Sequence, residues 1–433
     1  MTLAKTTLAT LITVMVACST AQAQQTITTY TSDDPLLTIG KHAFTGGKTV
    51  ELRLGIGSGA YHRVGDPANM IYTVSDRGPN FTCDDEGQAI TGLTPEQMCA
   101  ATKGGRIYPI PNYTPSIFSV ELLPNNKFRI VDIVGLKDRD GRPLSGIVNP
   151  LTIASTDVPF DAAAKRLPQD PSGVDLEGVV RLRDGTYWLS DENAPGIIHV
   201  AADGRVLKRY VPAGTEKDFK DSQYDIAATL PAILAKRQGN RGIESIAMSP
   251  DEQFLYFLVQ NPLANPDNAT YRNAANTRLF KMERAGGKVI GEYVYVLDDP
   301  KFYKAKSQSA VRISEMSALG TDRLLVLERT DNITRIHEIT LDGATNILGT
   351  KWDDIATSPT LEANKNTAEI DIKPTPKTLR FDSTDVKEAP NKLEGIAMLG
   401  DGTMLLINDD DFGITGEKTK ILIVKDPALK LSK

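Results

Sequence analysis

Four stretches of this chain repeat one design: DLEGVVRLRDGTYWLSDEN from Asp175, GIESIAMSPDEQFLYFLVQN from Gly242, ISEMSALGTDRLLVLERTDN from Ile313 and LEGIAMLGDGTMLLINDDD from Leu393. Each opens around a glutamate (Glu177, Glu244, Glu315, Glu394), runs through an apolar strand, a tight polar turn and a second apolar strand, and ends in a polar or acidic cluster. The glutamates stand 67, 71 and 79 residues apart (177 to 244, 244 to 315, 315 to 394). A minimal propeller blade takes about 40–50 residues, so the spacing predicts blades that each carry a long loop.

Further apolar segments complete a four-strand unit: GIIHVAADGRVLKRYVP after Asp191, TRLFKMERAGGKVIGEYVYVL after Asn261 and TRIHEITLDGATNILGT after Glu328. A degenerate copy precedes them in LRLGIGSGAYHRVGDPANMIYTVSDRGPN, with Ser58 or Gly59 near the glutamate position, and PSIFSVELLPNNKFRIVDIVGL supplies its outer strands. The last copy ends with TKILIVKD and lacks a fourth strand unless the threonine-rich N-terminus supplies it. The sequence therefore predicts an all-β chain, a β-propeller of five or six four-stranded blades closed by N-terminal strand exchange. The separation of 119 positions between Ser58 and Glu177 is long enough to hide the sixth.

In such a unit the starts of first strands and the ends of second strands share one face. The long connections fall on that face as well: 81–113, 139–174, 213–241, 262–276, 299–311 and 353–391. Tight turns such as RDG at 183–185 and GDG at 400–402 occupy the other. Function is expected where the loops are long. One loop, SQYDIAATLPAILAKRQGNRG from Ser222, reads as a short helix broken at Pro231, either a lid or a packing element between blades.

Residues 1–23 join Lys5, an apolar run from Leu8 to Ala17 and the small-residue site Ala21-Gln22-Ala23. That pattern predicts a signal peptide cleaved after Ala23, leaving 24–433 as a single propeller domain in the periplasm or outside the cell. Met15-Val16-Ala17-Cys18 offers the competing reading of a lipid anchor at Cys18. The other two cysteines, Cys83 and Cys99, are expected to pair in an oxidising compartment. Neither CxxC nor HExxH occurs, so no zinc motif is present. A formal charge of −6 argues against a nucleic-acid partner, which requires a basic face. No later apolar run is long enough to span a membrane.

If the repeats form a propeller, Asp76, Glu177, Asp191, Glu244, Glu315, Glu394 and Asp409 converge at one mouth of the central channel, with Asn261, Glu328 and Asn408 beside them. Carboxylates forced together repel unless a proton or cation intervenes. Hard oxygen ligands in a wide cage suit calcium, or another hard divalent cation. The plainer alternative is that the glutamates cap strand ends. Arg77, Arg241, Arg312, Arg329 and Lys392 flank these acids. They either pair with the acids or bind a small anionic substrate through phosphate or carboxylate oxygens. Protein nucleophiles are poorly represented: there is no GxSxG elbow, and of the histidines only His62 falls near the expected mouth. Trp188 and Trp352 read as core residues.

YTVSDRGPN, DLEGVVRLRDGTYWLSDE, NRGIESIAMSPDEQFLYFLVQNPL and LEGIAMLGDGTMLLINDDDFG, spread from Leu54 to Gly413, resemble the phytase-like family of exported bacterial proteins, also called "esterase-like activity of phytase". The resemblance implies a propeller-like fold, export, and phosphoester or ester hydrolysis. Asp76, Glu177, Asp191, Glu244, Glu394 and Asp409 fall inside the matching stretches, whereas Ser58 and Glu315 lie in more divergent copies. Three functions are thus expected: a calcium-dependent phosphoesterase, a carboxylester or lactone hydrolase on the same metal, or a non-catalytic binding propeller with a structural metal.

Overall fold

Five antiparallel-cored sheets hold most of the strands in a computed structural model that describes residues 25–152, 156–387 and 389–432. The expected signal peptide and Cys18 lie outside the described residues. The five inner strands are Gly59–Tyr61, Leu176–Arg181, Ile243–Met248, Arg312–Gly320 and Leu393–Gly400. Each pairs with a second strand directly after it: Met70–Val74, Tyr187–Asp191, Phe254–Val259, Arg323–Arg329 and Thr403–Asn408. The turns between them are as tight as the sequence predicts. Gly185 and Gly402 hold φ of 86° and 66°, where a side chain would be strained.

Successive inner strands pack on one another in chain order, and the fifth packs on the first. The apolar core follows that order. Val179 and Leu189 meet Val74 and Ile117 between the first and second sheets, and Val180 and Trp188 meet Ile246 and Phe257 between the second and third. Tyr256 and Leu258 meet Leu324 and Val326 between the third and fourth, and Leu327 and Ile336 meet Ile396 and Leu406 between the fourth and fifth. Leu405 and Ile423 meet Ile71 and Phe118 between the fifth and first. A side chain of this kind contributes about 1.5–3 kcal/mol when fully buried, so every sheet is held on both faces. The outermost strand of the fifth sheet is Thr26–Tyr30, antiparallel to Ile421–Lys425 with Thr26 opposite Lys425.

Three local expectations are corrected. Asp225–Leu230 is a strand, parallel to Val206–Pro212, and not a helix; the open edge of the second sheet supplies backbone partners that outweigh the helix preference of its alanines. Ile233 and Leu234, just after it, are fully buried, so this segment packs. In the fourth sheet the outer strand is Lys377–Asp382, because Ile347 of the expected NILGT strand is drawn into a separate cluster with Val294, Trp352, Leu361 and Ile372. The third correction concerns residues 81–161, where the described residues outside the first sheet form no four-stranded sheet of their own. They contain a three-stranded sheet of Phe81–Thr82, Gly105–Tyr108 and Val158–Asp161 with helices Asp85–Thr91 and Pro95–Cys99. Thr94 and Gln97 cap the second helix reciprocally, and Cys83 is bonded to Cys99. The apolar side of this unit packs Phe81, Ile90, Met98 and Phe160 with Phe44 and Leu52 of the hairpin Thr38–Ala43/Thr49–Arg53.

Candidate functional site: an acidic and basic cavity at the strand ends

A one-residue irregularity decides which side chains face the common axis. In the second, third and fifth sheets the inner strand bulges at its start: Leu176, Ile243 and Leu393 are in register with the second strand, the register then slips, and Glu177, Glu244 and Glu394 fall in the slip. In the fourth sheet the slip lies between Ile313 and Glu315, so Ser314 takes the position of those glutamates. In the first sheet the corresponding residue is Ser58, next to Gly59, which pairs with Val74. The equivalent residues are thus Ser58, Glu177, Glu244, Ser314 and Glu394. A bulge re-aims a side chain in this way at the rim of a sheet.

The ends of the second strands obey the same register. Asp191, Val259, Glu328 and Asn408 pair with the inner strands; the residue after each, together with Asp76, gives Asp76, Glu192, Gln260, Arg329 and Asp409. All five line one cavity of about 290 Å³, with Ser58, Glu177, Glu244 and Glu394. Arg77, Arg241, Arg312 and Lys392 line it as well, and the insertion adds Asn80, Phe81, Thr82, Glu86 and Arg106. Phe81 and Phe412 are its only apolar lining residues among those described.

Two acids expected at the mouth are elsewhere. Asp191 is fully buried against Arg209 at 3.0 Å and accepts the Asp175 and Ala194 amides, a structural ion pair off the cavity. Glu315 projects beneath the cavity and accepts the amides of Met316 at 2.9 Å and Ile246 at 3.2 Å, tying adjacent inner strands. It therefore matches the plainer strand-capping alternative. Glu328 accepts from the Tyr295 hydroxyl at 2.7 Å and pairs with Lys377 at 2.8 Å. The trio Asp298, Glu328 and His337 comes close enough for a metal, but Lys377 and Arg335 already neutralise it. His62 is at the other end of its strand pair, bonded to the Met70 carbonyl at 2.8 Å, because the chain runs away from the cavity through Gly59–Tyr61.

Inside the cavity the charges are segregated. Along one wall Glu177, Glu192 and Glu244 present oxygens within 4.8 Å of one another, and so do Asp76, Asp175 and Glu177. Burial, then Glu244, Asp76 and Glu192, holds Glu177 well above the usual carboxylate range. Burial followed by Glu192 and Glu394 does the same to Glu244, and burial followed by Asp175 to Asp76. Asp175 is pushed up to about 6 by burial, against the pull of Arg77. Arg77 is itself buried and divided among acids: 2.8 Å to Asp175, 3.2 Å to Asp157 and 3.8 Å to Glu192. Arg106 also reaches Asp157, at 2.9 Å within the disulfide-bearing insertion, and the Arg77 contact to the same Asp157 ties that insertion to the cavity wall.

The opposite wall is basic. Arg329 donates to Ser314 Oγ at 2.8 Å and pairs closely with Glu394. Lys392 lies 2.9 Å from Asp409 and close to Asp411. Burial opposes the Asp409 charge, but Lys392 outweighs it and the Asp409 pKa falls below normal. Arg312 pairs with Asp331, and burial beside Arg329 lowers its pKa to about 10. Arg241 reaches Glu192 at 3.2 Å, bridging the two walls.

The acidic wall suits a hard cation. Its donors are all oxygens, Glu177 and Glu244 pair with no cationic side chain among the described residues, and Glu244 Oε2 and Gln260 Oε1 are buried without a hydrogen-bond partner. Sequence reading alone misses Asp175, Glu192, Gln260, Asn240, Asp157 and Asp411. For Glu192 and Gln260 the available signal was the polar residue directly after the second strand, whereas Asp157, Asp175, Asn240 and Asp411 lie outside that pattern.

These features define an all-β, propeller-like protein with an oxygen-lined cavity able to hold a cation. The chain belongs to the phytase-like family, described as esterase-like activity of phytase, whose model matches residues 55–412. That family description points to an esterase-like hydrolase. A relative from Arthroderma benhamiae, described as an uncharacterized secreted protein, is 26% identical over 247 residues, covering 50% of this chain and 48% of its own length. The chain thus spans about half the length of the curated relative it matches. No helix among the described residues is long and apolar enough to cross a membrane. Among solved structures, the chain is similar to a luciferin-regenerating enzyme (TM-score 0.36, 11% identity, 88% of this chain and 94% of that one) and to a streptogramin B lyase (TM-score 0.32, 14% identity, 94% and 99%). Likenesses this distant assign no activity.

Proposed function

We propose that this chain is a secreted, divalent-cation-dependent hydrolase of phosphomonoesters, with calcium as the cation, and that its five sheets are the blades of a propeller closed by Thr26–Tyr30. The observation that carries the reading is the segregation of charge. Acids outnumber their cationic partners on one wall, where Glu177 and Glu244 pair with none among the described residues, and Arg241, Arg312, Arg329 and Lys392 line the same cavity. Asp76, Glu177, Glu192 and Glu244 would hold the cation, with Gln260 as a neutral donor. A bound divalent cation would supply charge neutralisation and polarise a phosphoryl oxygen.

The remaining work falls to the chain. Guanidinium forks of Arg241 and Arg312 match phosphate oxygens in pairs, and Lys392 adds a point charge. Arg329 is held in place by Ser314 and Glu394, which fixes where its charge is presented. No histidine or cysteine lines the cavity among the described residues, so the reading assigns the attack to water. The nearly wholly polar lining favours a leaving group that is itself polar, such as a polyol, over an aryl or aliphatic one.

A carboxylester or lactone carbonyl would meet the same cation, and a purely structural cation would give a binding propeller. One assay separates the three. Purified chain, stripped with chelator and then resupplied with calcium, is expected to release phosphate from glycerol phosphate only with calcium, and Glu244→Gln to lose about a hundredfold or more. Turnover confined to lactones or aryl esters would replace phosphate as the substrate class. A calcium-raised Tm with no turnover on the panel would leave only the binding propeller.

A further inference from the structure

We propose that the acidic wall holds two divalent cations side by side, with the Glu177 carboxylate shared between them. The inference rests on the reading of this cavity as a cation site and adds its stoichiometry and layout. The first support is geometric. Asp76, Asp175 and Glu177 form one trio of converging oxygens, Glu177, Glu192 and Glu244 form another, and Glu177 is the only member common to both. The first trio lies where the first sheet meets the second, the second where the second meets the third, with Glu177 between them on the second sheet's inner strand.

Unsatisfied oxygens provide the second support, one set for each trio. Arg77 lies 2.8 Å from Asp175 Oδ2, while Asp175 Oδ1 has no hydrogen-bond partner. In the other trio Glu244 Oε2 has none, and Gln260 Oε1 nearby on the cavity wall is equally unpartnered. Asp175 is 3% exposed and Glu244 2%. Leaving a buried acceptor unmade is costly, more so when it is charged, and neither oxygen can serve the other's trio if a single ion is centred on one of them.

Charge supplies the third. Asp76, Asp175, Glu177, Glu192 and Glu244 carry five negative charges when ionised, and among the described residues Arg77 and Arg241 are the cations in ion-pair contact with them. One divalent cation would leave the wall net negative and repellent to a phosphate; two reverse its sign. A shared carboxylate is a compact way to hold two such ions, which in two-metal sites lie about 3.5–4 Å apart.

The test is a count. Chelator-stripped full chain is dialysed against buffered calcium and its bound metal is measured per chain, and the same protein is titrated with manganese(II) and followed by electron paramagnetic resonance. The expected result is two ions per chain and an exchange-coupled manganese signal, falling to one uncoupled ion in both Asp175→Asn and Glu244→Gln. One ion in the unaltered protein overturns the pair while leaving a cation-dependent hydrolase intact; none overturns both. Two uncoupled ions overturn the Glu177 bridge. The unaltered protein decides between these outcomes even if a variant does not fold.

Discussion

Glu315 Oε2 occupies the space that a side chain on Gly59 would need: a Cβ there falls 2.7 Å from that oxygen and 2.3 Å from the Glu177 carbonyl. The residue from the first sheet is small because the backbone of the second comes closest to it and the Glu315 side chain from the fourth reaches in beside that backbone beneath the cavity. Gly59→Ala is therefore expected to cost about 1–3 kcal/mol through overpacking. Glu315→Ala is expected to cost a similar amount by leaving the Met316 and Ile246 amides without their acceptor. The two changes should couple, with Gly59→Ala cheaper in the Glu315→Ala background. Urea unfolding of the four proteins of the cycle measures this, and strict additivity would refute the contact.

Adjacent acids in the second sheet should behave differently. Asp191 is matched to Arg209 out of the cavity, whereas Glu192 lines it. Asp191→Ala is expected to lower stability by about 3–5 kcal/mol, the usual cost of breaking a buried ion pair, while any folded fraction keeps its calcium affinity. Glu192→Gln is expected to weaken calcium binding about tenfold or more with little loss of stability in chelator. Calorimetric titration and thermal melts separate the two, and equal effects on binding would show the register assignment to be wrong.

Arg77 is the counter-ion for four acids at once, Asp76, Asp157, Asp175 and Glu192, so its removal should be felt in the absence of metal. Arg77→Met is expected to destabilise the chelator-treated protein by about 3–5 kcal/mol, and calcium is expected to return part of that, because a cation relieves the repulsion that Arg77 formerly offset. Melting curves with and without calcium test this. A variant as stable as the parent in chelator would deny Arg77 its role.

Away from the cavity, Glu292 shares Arg278 with Glu362, at 2.5 Å and 2.8 Å. Burial, only partly opposed by Arg278, pushes Glu292 up to about 7. A carboxyl whose folded pKa is raised binds its proton more tightly in the folded state, so its contribution is full below its unfolded pKa of about 4.3 and is lost as pH rises through about 7. Glu292→Gln should accordingly rank more favourably against the parent at pH 8 than at pH 5. Parallel denaturant titrations at the two pH values check the sign, and the opposite ordering would refute it.

Much of this protein is visible along the chain because strand, turn and strand are local events. Apolar runs such as FLYFLV and turns such as RDG and GDG mark the paired inner strands without reference to the rest of the molecule. The chemistry of the cavity is visible too: Asp76, Glu177, Glu244, Glu394 and Asp409 line it, as do all five basic residues expected beside them. What escaped was decided at a distance. Lys377–Asp382 becomes the outer strand of the fourth sheet after a connection of nearly forty residues whose apolar members pack elsewhere.

The sequence by itself determined the repeated strand pairs, the acid and base inventory of the strand ends, and the membership of a phytase-like family that those motifs signal. Tertiary structure alone decided which of two neighbouring residues is offered to the axis. Ser314 stands there instead of Glu315, and Glu192 instead of Asp191. The physical reason is that side chains alternate along a strand, so a bulge or a single step of register exchanges one face for the other, and the position of the bulge is fixed by how the inner strands pack against their neighbours.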